Sequence, residues 1–448
     1  MNSFHSTPGQ ETSTSSASRF RLDSTARVDW KVARSSPRPG SLPWRLLLVL
    51  CGLSVPAMAA NWPTWRGPDA DGITSEKNLP VEWSRTENVR WRVSLPEPGN
   101  STPIVWGDQV FVTQNIGNER SLLCLDRRDG GELWRRGVTV TGQERTHETN
   151  PYCAASPVTD GERVVSWFGS GGLVAHDLSG NELWRVDLGR HDHQFGYGGS
   201  PVLHGDVCIL NFGPGAREFV VAVNKRSGEE VWRVSSSTPG EDDIYGMWST
   251  PFVARTDGRS EVVVALRDYF AGLDPQTGEE LWRCDGLGIQ AKSSPVAGGG
   301  VVVMSGDMRS AELAVRLGGS GNITETHRLW TRTPAKRRVG TGVIHDGHLY
   351  SVQTGGIADC VDLKTGEYVW EERLRGPSAN NAVWSSPVLS DGHLYVLNQS
   401  GDTFVYRAKP AFEQVGVNSL GERSNSSVVV SDGNLFLRTH EALWCIGL

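Results

Sequence analysis

The pentapeptide Gly-x-x-[Leu/Val]-Trp recurs five times, at Gly130 to Trp134, Gly180 to Trp184, Gly228 to Trp232, Gly278 to Trp282 and Gly366 to Trp370, with Leu329-Trp330 as a sixth copy whose turn is altered. Self-similarity at a period of a few tens of residues means one supersecondary unit repeated, not a string of unrelated domains. In the five regular copies Asp126, Asp177, Asn224, Asp274 or Asp362 stands three or four residues before the Gly. That pairing suits a tight turn in which a short side chain caps the backbone and Gly takes a positive φ. A second signature, small-[Ser/Thr]-Pro-hydrophobic, opens a strand at Pro103, Pro157, Pro201, Pro251, Pro295 and Pro387, with Gly342 and Ser427 read into the Pro slot of two variants. Successive intervals of 54, 44, 50, 44, 47, 45 and 40 residues give eight copies.

Each copy reads as four short strands, for example SPVL, HLYVLN, TFVYRA and EQVGVN. Four strands per unit with turn residues between them make a propeller blade. The fold class expected is therefore all-β, an eight-bladed β-propeller of four-stranded blades. The last unit ends at its third strand, Leu443 to Ile446, and Val89 to Val93 (VRWRV) matches the fourth-strand pattern. An N-terminal strand is thus expected to complete the last blade and remove the open edge. The repeated Trp reads as an apolar plate between blades. Cys124, Cys360 and Cys445 share one repeat position with Ala175, Ala222, Gly272 and Ala314, a slot for small buried side chains. Cys153, Cys208 and Cys284 fall elsewhere, with no C-x-x-C pair.

The division expected is 1–60 as N-terminal extension and secretory signal, and 61–448 as a single propeller. Arg45 precedes the apolar run Leu46 to Val55, which closes in Ala57-Met58-Ala59; basic residues, a short apolar core and small residues are what signal peptidase needs. The mature chain then has no transmembrane span and is exported, periplasmic or envelope-associated. Residues 1–60 carry seven Lys/Arg and three Asp/Glu, so of the net −7 the remainder holds −7 − 4 = −11. Such a balance disfavours nucleic acid as partner.

These residues resemble the pyrroloquinoline-quinone (PQQ) repeat family, whose blades carry A-x-D-x-x-T-G-x-x-x-W, with Leu363-Lys364-Thr365-Gly366 through Trp370 the nearest match. Trp62 to Pro68 and Gly318 to Trp330 look like the exported PQQ-like propellers of planctomycete-type bacteria. The resemblance implies two activities. Quinoprotein dehydrogenases hold PQQ over calcium in the central funnel and oxidise alcohols or sugars, whereas BamB, an envelope assembly lipoprotein, has the fold without a cofactor.

Loops joining one blade to the next, such as 137–154, 188–199, 235–248 and 374–384, are long, and function concentrates in such loops. The residue three before each Pro slot should ring the channel mouth: Asn100, Ala154, Gly198, Trp248, Lys292, Val339, Trp384 and Ser424. Trp, Lys and Asn there can stack and hydrogen-bond a flat anion. Second-strand ends add Gln114, Asn211, Asp268, Asp307, Gln353, Asn398 and Arg438. The cofactor-binding candidates are Asn100, Trp248, Lys292, Trp384, Asn398 and Arg438, and the candidate bases Asp268 and Asp307. The same groups also serve as strand-end caps holding channel water. His191-Asp192-His193 and His147 invite a zinc reading, but two His two apart in a polar loop normally face solvent, so no metal ligand set is assigned. The adjacent-Cys disulfide and C-x-x-C-H haem motif of quinoprotein alcohol dehydrogenases are missing. The leading expectation is a monomeric, non-catalytic binding or scaffolding propeller meeting an envelope protein or glycan through Trp65, Phe195, Tyr197 and Tyr245. A PQQ/calcium dehydrogenase is the alternative.

Overall fold

The computed structural model describes residues 60–448 apart from 143, 216, 236–244, 257 and 308. The signal region proposed within 1–60 lies outside them, save Ala60. Eight antiparallel sheets follow one another along the chain, and the only helical turn among the described residues is Gly169–Gly171. Blades 1 to 7 start at Ile104, Val158, Val202, Phe252, Val296, Val343 and Val388. Blade 8 comprises Val429–Ser431, Asn434–Arg438 and Ala442–Ile446, and its fourth strand is Val89–Ser94, with Trp91 opposite Cys445. Closure by the N-terminal strand is therefore as the sequence implies.

The Trp repeat is the inter-blade joint. Trp91, Trp134, Trp184, Trp232, Trp330 and Trp370 each donate their indole N–H to a backbone carbonyl in the turn before the fourth strand of the next blade. Gly228 shows why that turn needs glycine: its φ is +77°, and a Cβ there would lie 3.0 Å from the Trp184 ring. The Asn224 side chain caps the same turn by accepting the amides of Arg226 and Ser227. Opposite each Trp on the neighbouring third strand sits the small slot: Cys124 faces Trp134, Ala222 faces Trp232, and Cys360 faces Trp370. The six described cysteines are buried free thiols, and burial pushes Cys124 and Cys153 up to about 12.

Blade 4 departs from the pattern because blade 5 replaces its turn with the insertion after Gly318. Gly321–Asn322 adds a parallel fifth strand beside Trp282. Trp282 is fully buried there and donates to Glu261 instead.

Candidate functional site

The residues just before the Pro slots close a circle around the axis. The amide of Thr102 donates to the hydroxyl of Ser156, Ser156 to Ser200, Ser200 to Thr250, and Thr250 to Ser294. The chain of bonds continues from Ser294 to Thr341, Thr341 to Ser386, Ser386 to Ser427, and Ser427 back to Thr102. The sequence carried this signal as a Ser or Thr before each slot, read there only as a strand opener. The circle also corrects the eighth blade. Ser427 holds the hydroxyl position, so Val428 occupies the Pro slot, one residue later than expected. Asn425 accordingly replaces Ser424 at the channel mouth.

Above the circle opens a cavity of about 610 Å³ on the face of the long loops. Asn100, Ala154, Gly198, Trp248, Lys292, Val339 and Trp384 line it as expected, with Asn425 in the eighth position. Its two sides differ chemically. On the side of blades 8, 1 and 2 the amides are spent on loop backbone: Asn100 donates to Thr149 O (2.9 Å), Asn425 to Thr149 O (3.0 Å), and Asn150 to Phe195 O and Tyr197 O. His440 also meets Asn100 (3.2 Å), and burial holds its pKa down at about 4, so the ring is neutral above that pH. Trp248 is fixed by a bond to Gly196 O and an edge contact with His193. On the side of blades 5 to 7, Gln290, Lys292, Arg337 and Trp384 face the cavity. Gln290 is 5 % exposed, yet its side-chain oxygen has no partner. Lys292 lies 2.5 Å from the buried Asp307 carboxylate, and Arg337 lies 3.7 Å from the other Asp307 oxygen. Two cations therefore share one carboxylate, and the described lining includes no Asp or Glu.

The floor comes from the N-terminal segment, which sequence reasoning placed among the outward loops. Trp62 pairs with Val105 of blade 1, and Ile73–Thr74 pair with Leu389 and Ser390 of blade 7, so the chain between them crosses the channel. Trp65 lines the cavity from this crossing. Arg66 is buried beside it and donates to the carbonyls of Thr341, Gly342 and Pro387. No carboxylate lies within ion-pair reach of Arg66 among the described residues, and desolvation lowers its pKa to about 10. The tunnel expected of a propeller is thus a blind funnel.

The remaining candidates lie away from this cavity. Arg438 is fully buried and locks blade 8 to blade 1 through Ser101, Thr113 O and Gln114. Asn398 is buried in a turn, where it accepts the amides of Ser400 and Asp402. Asn211 bonds Ser249 O, and Gln353 bonds Glu371. Asp268 is exposed on a strand-joining turn at φ +72°. These side chains cap strand ends, which is the competing reading given above. Tyr197 is buried, its hydroxyl accepting the Cys153 amide, and is no docking group. His191 and His193 are buried against Phe212 and Trp248, contrary to the solvent-facing expectation. The polar loop folds inward because these rings fill the space between blades 2 and 3.

Calcium prefers hard carboxylate and carbonyl oxygens. Among the described residues the cavity offers none of the carboxylates: Asp307 is held beneath Lys292, and Asp268 lies elsewhere. Among the described residues no three His, Cys, Asp or Glu side chains cluster to hold a metal ion. A quinone-over-calcium site therefore does not fit this donor set, and neither aspartate is placed to take a proton from a substrate in the funnel.

No curated protein sequence matches the chain. Among solved structures, BamB from Moraxella catarrhalis superposes with a TM-score of 0.56 at 14% identity, covering 80% of this chain and 96% of that one. Quinohemoprotein alcohol dehydrogenase from Comamonas testosteroni gives 0.61 at 12% identity, covering 87% and 80%. The computationally designed Ika8 protein gives 0.56 at 12%, covering 80% and 99%. At such identities the likeness is one of fold, shared by an assembly factor, an enzyme and a design. The family model described as outer membrane protein assembly factor BamB matches residues 67–215 and 216–448, and the chain with its Trp-jointed, eight-bladed ring belongs to that PQQ-repeat family.

Proposed function

We propose that the chain is an exported, non-catalytic binding propeller of the cell envelope, whose loop-rich face presents a blind funnel to a ligand carried by an envelope protein or glycan. The observation that carries this reading is the funnel itself: pre-formed, walled by aromatic and polar groups with Lys292 and Arg337 on one side, and without a carboxylate in its described lining. Such concave sites hold ligands, and calcium chemistry needs carboxylate oxygens that the described lining does not present. No helix among the described residues is long and apolar enough to cross a membrane.

The full chain is to be incubated with PQQ and calcium, then with alcohols and sugars and an artificial electron acceptor. No turnover and no calcium-dependent rise in unfolding temperature are expected. Turnover that needs both additions would replace this reading with a dehydrogenase.

A further inference from the structure

Resting on that reading, we infer that the funnel takes an acidic sugar residue, free or at the end of a chain. Three observations converge. First, the cavity carries positive charge in an acidic protein. Lys292 and Arg337 share the single carboxylate of Asp307, Arg66 lies buried beside the floor with no carboxylate in ion-pair contact among the described residues, and the described lining includes no Asp or Glu. A low-dielectric recess of one sign concentrates ligands of the other. Second, the ligand-facing hydrogen-bonding groups are unspent on one side. The Gln290 side-chain oxygen has no partner among the described residues although the residue is 5 % exposed, and a buried acceptor left unmet is costly. The hydroxyls of Ser156, Ser200, Thr250, Ser294 and Ser386 accept backbone amides but donate to no protein acceptor among the described residues. A ligand able both to donate and to accept several times over satisfies this set, as a polyol does. A simple carboxylate, which only accepts, leaves the Gln290 oxygen unmet. Third, Trp65 on the floor and Trp384 on the wall are partly exposed, and neither indole N–H has a partner among the described residues. Apolar plates with a polar edge suit the C–H face of a sugar ring. The charge selects the acid group, Gln290 and the hydroxyl circle read the ring hydroxyls, and the two Trp supply the stacking surface.

Calorimetric titration of the full chain with D-glucuronate, D-glucose and benzoate separates these elements. Saturable glucuronate binding is expected, with glucose and benzoate each at least tenfold weaker. Trp384→Ala and Gln290→Leu should each weaken glucuronate at least tenfold while leaving the unfolding midpoint in place, because neither side chain holds a blade together. Arg337→Gln, which keeps the Lys292–Asp307 pair, should narrow the gap between glucuronate and glucose. Equal affinity for glucose and glucuronate would overturn the acidic requirement, and equal affinity for benzoate would overturn the sugar. Saturation by none of the three overturns the inference outright, even where another ligand still binds the funnel. Turnover with PQQ and calcium would instead overturn the non-catalytic reading beneath it.

Discussion

Ser200 accepts the amide of Ser156 and passes its own amide to Thr250, so the serine is one member of a continuous circle. Ser200→Ala strands a buried N–H, and the stability lost should be about 1–3 kcal/mol. Ser200→Thr should be close to neutral, since Thr fills the same place in blades 1, 4 and 6. Urea midpoints of the two variants check this, and an equal loss in both would mean that packing and not the hydrogen bond matters. Arg438 supplies a second test. It donates to Ser101, Thr113 O and Gln114 Oε1 from a fully buried site. Lys cannot reproduce that fork, so Arg438→Lys should cost about 3 kcal/mol or more, two charge-assisted bonds at about 1.5–3 kcal/mol each. Glucuronate affinity should stay as it was, and a specific affinity loss in folded protein would restore Arg438 to the funnel. Half of the candidate site was legible because the residue three before the Pro slot has one geometric meaning in every blade. The second-strand ends were not, because a polar residue there points to the axis or into a turn according to the loop that follows. Trp65 and Gln290 gave no repeat signal at all.

The joint between blades is an element-scale device, and its glycine is where it can be broken. Gly228 sits at φ +77° against Trp184, so Gly228→Ala combines left-handed strain of about 1–2 kcal/mol with a crowded contact. A loss of about 2–4 kcal/mol is expected, read as an earlier urea midpoint. Gly347→Ala, in another turn with φ +73° but no atom within 4 Å of the added Cβ, should lose only the backbone part. Similar losses in both would show that the Trp contact contributes little. The turn motif was readable because Asp, Gly and Trp each have one role in it. Where blade 5 lacks the turn, no pattern foretold that Glu261 would receive the Trp282 N–H or that Gly321–Asn322 would cover that edge. The eighth blade slipped by one residue for a similar reason: without Pro at the slot, Ser426 and Ser427 are equivalent by composition, and only the closed circle distinguishes them.

At the scale of the whole molecule, two stretches of the same N-terminal segment close the ring and its channel separately, and truncation separates them. Val89–Ser94 pairs with Ala442–Ile446 and puts Trp91 against the blade 1 turn. A chain beginning at residue 96 lacks both, leaving the buried strand of blade 8 as an open, apolar edge. Such an edge pairs with other chains, so this version should appear as aggregate in size-exclusion chromatography. A chain beginning at residue 76 keeps the closing strand and loses only the crossing segment. The carbonyls of Thr341, Gly342 and Pro387 that Arg66 satisfied then face a channel that water can enter, and solvated carbonyls cost little. This version should elute as folded protein with a lower unfolding temperature, because Trp62 gives up its place in the core. It should also bind glucuronate at least tenfold more weakly, as the funnel loses Trp65 and its floor. If both versions aggregate, the crossing segment is part of the fold's foundation. If neither does, ring closure is carried by the other five Trp joints and the circle of hydroxyls.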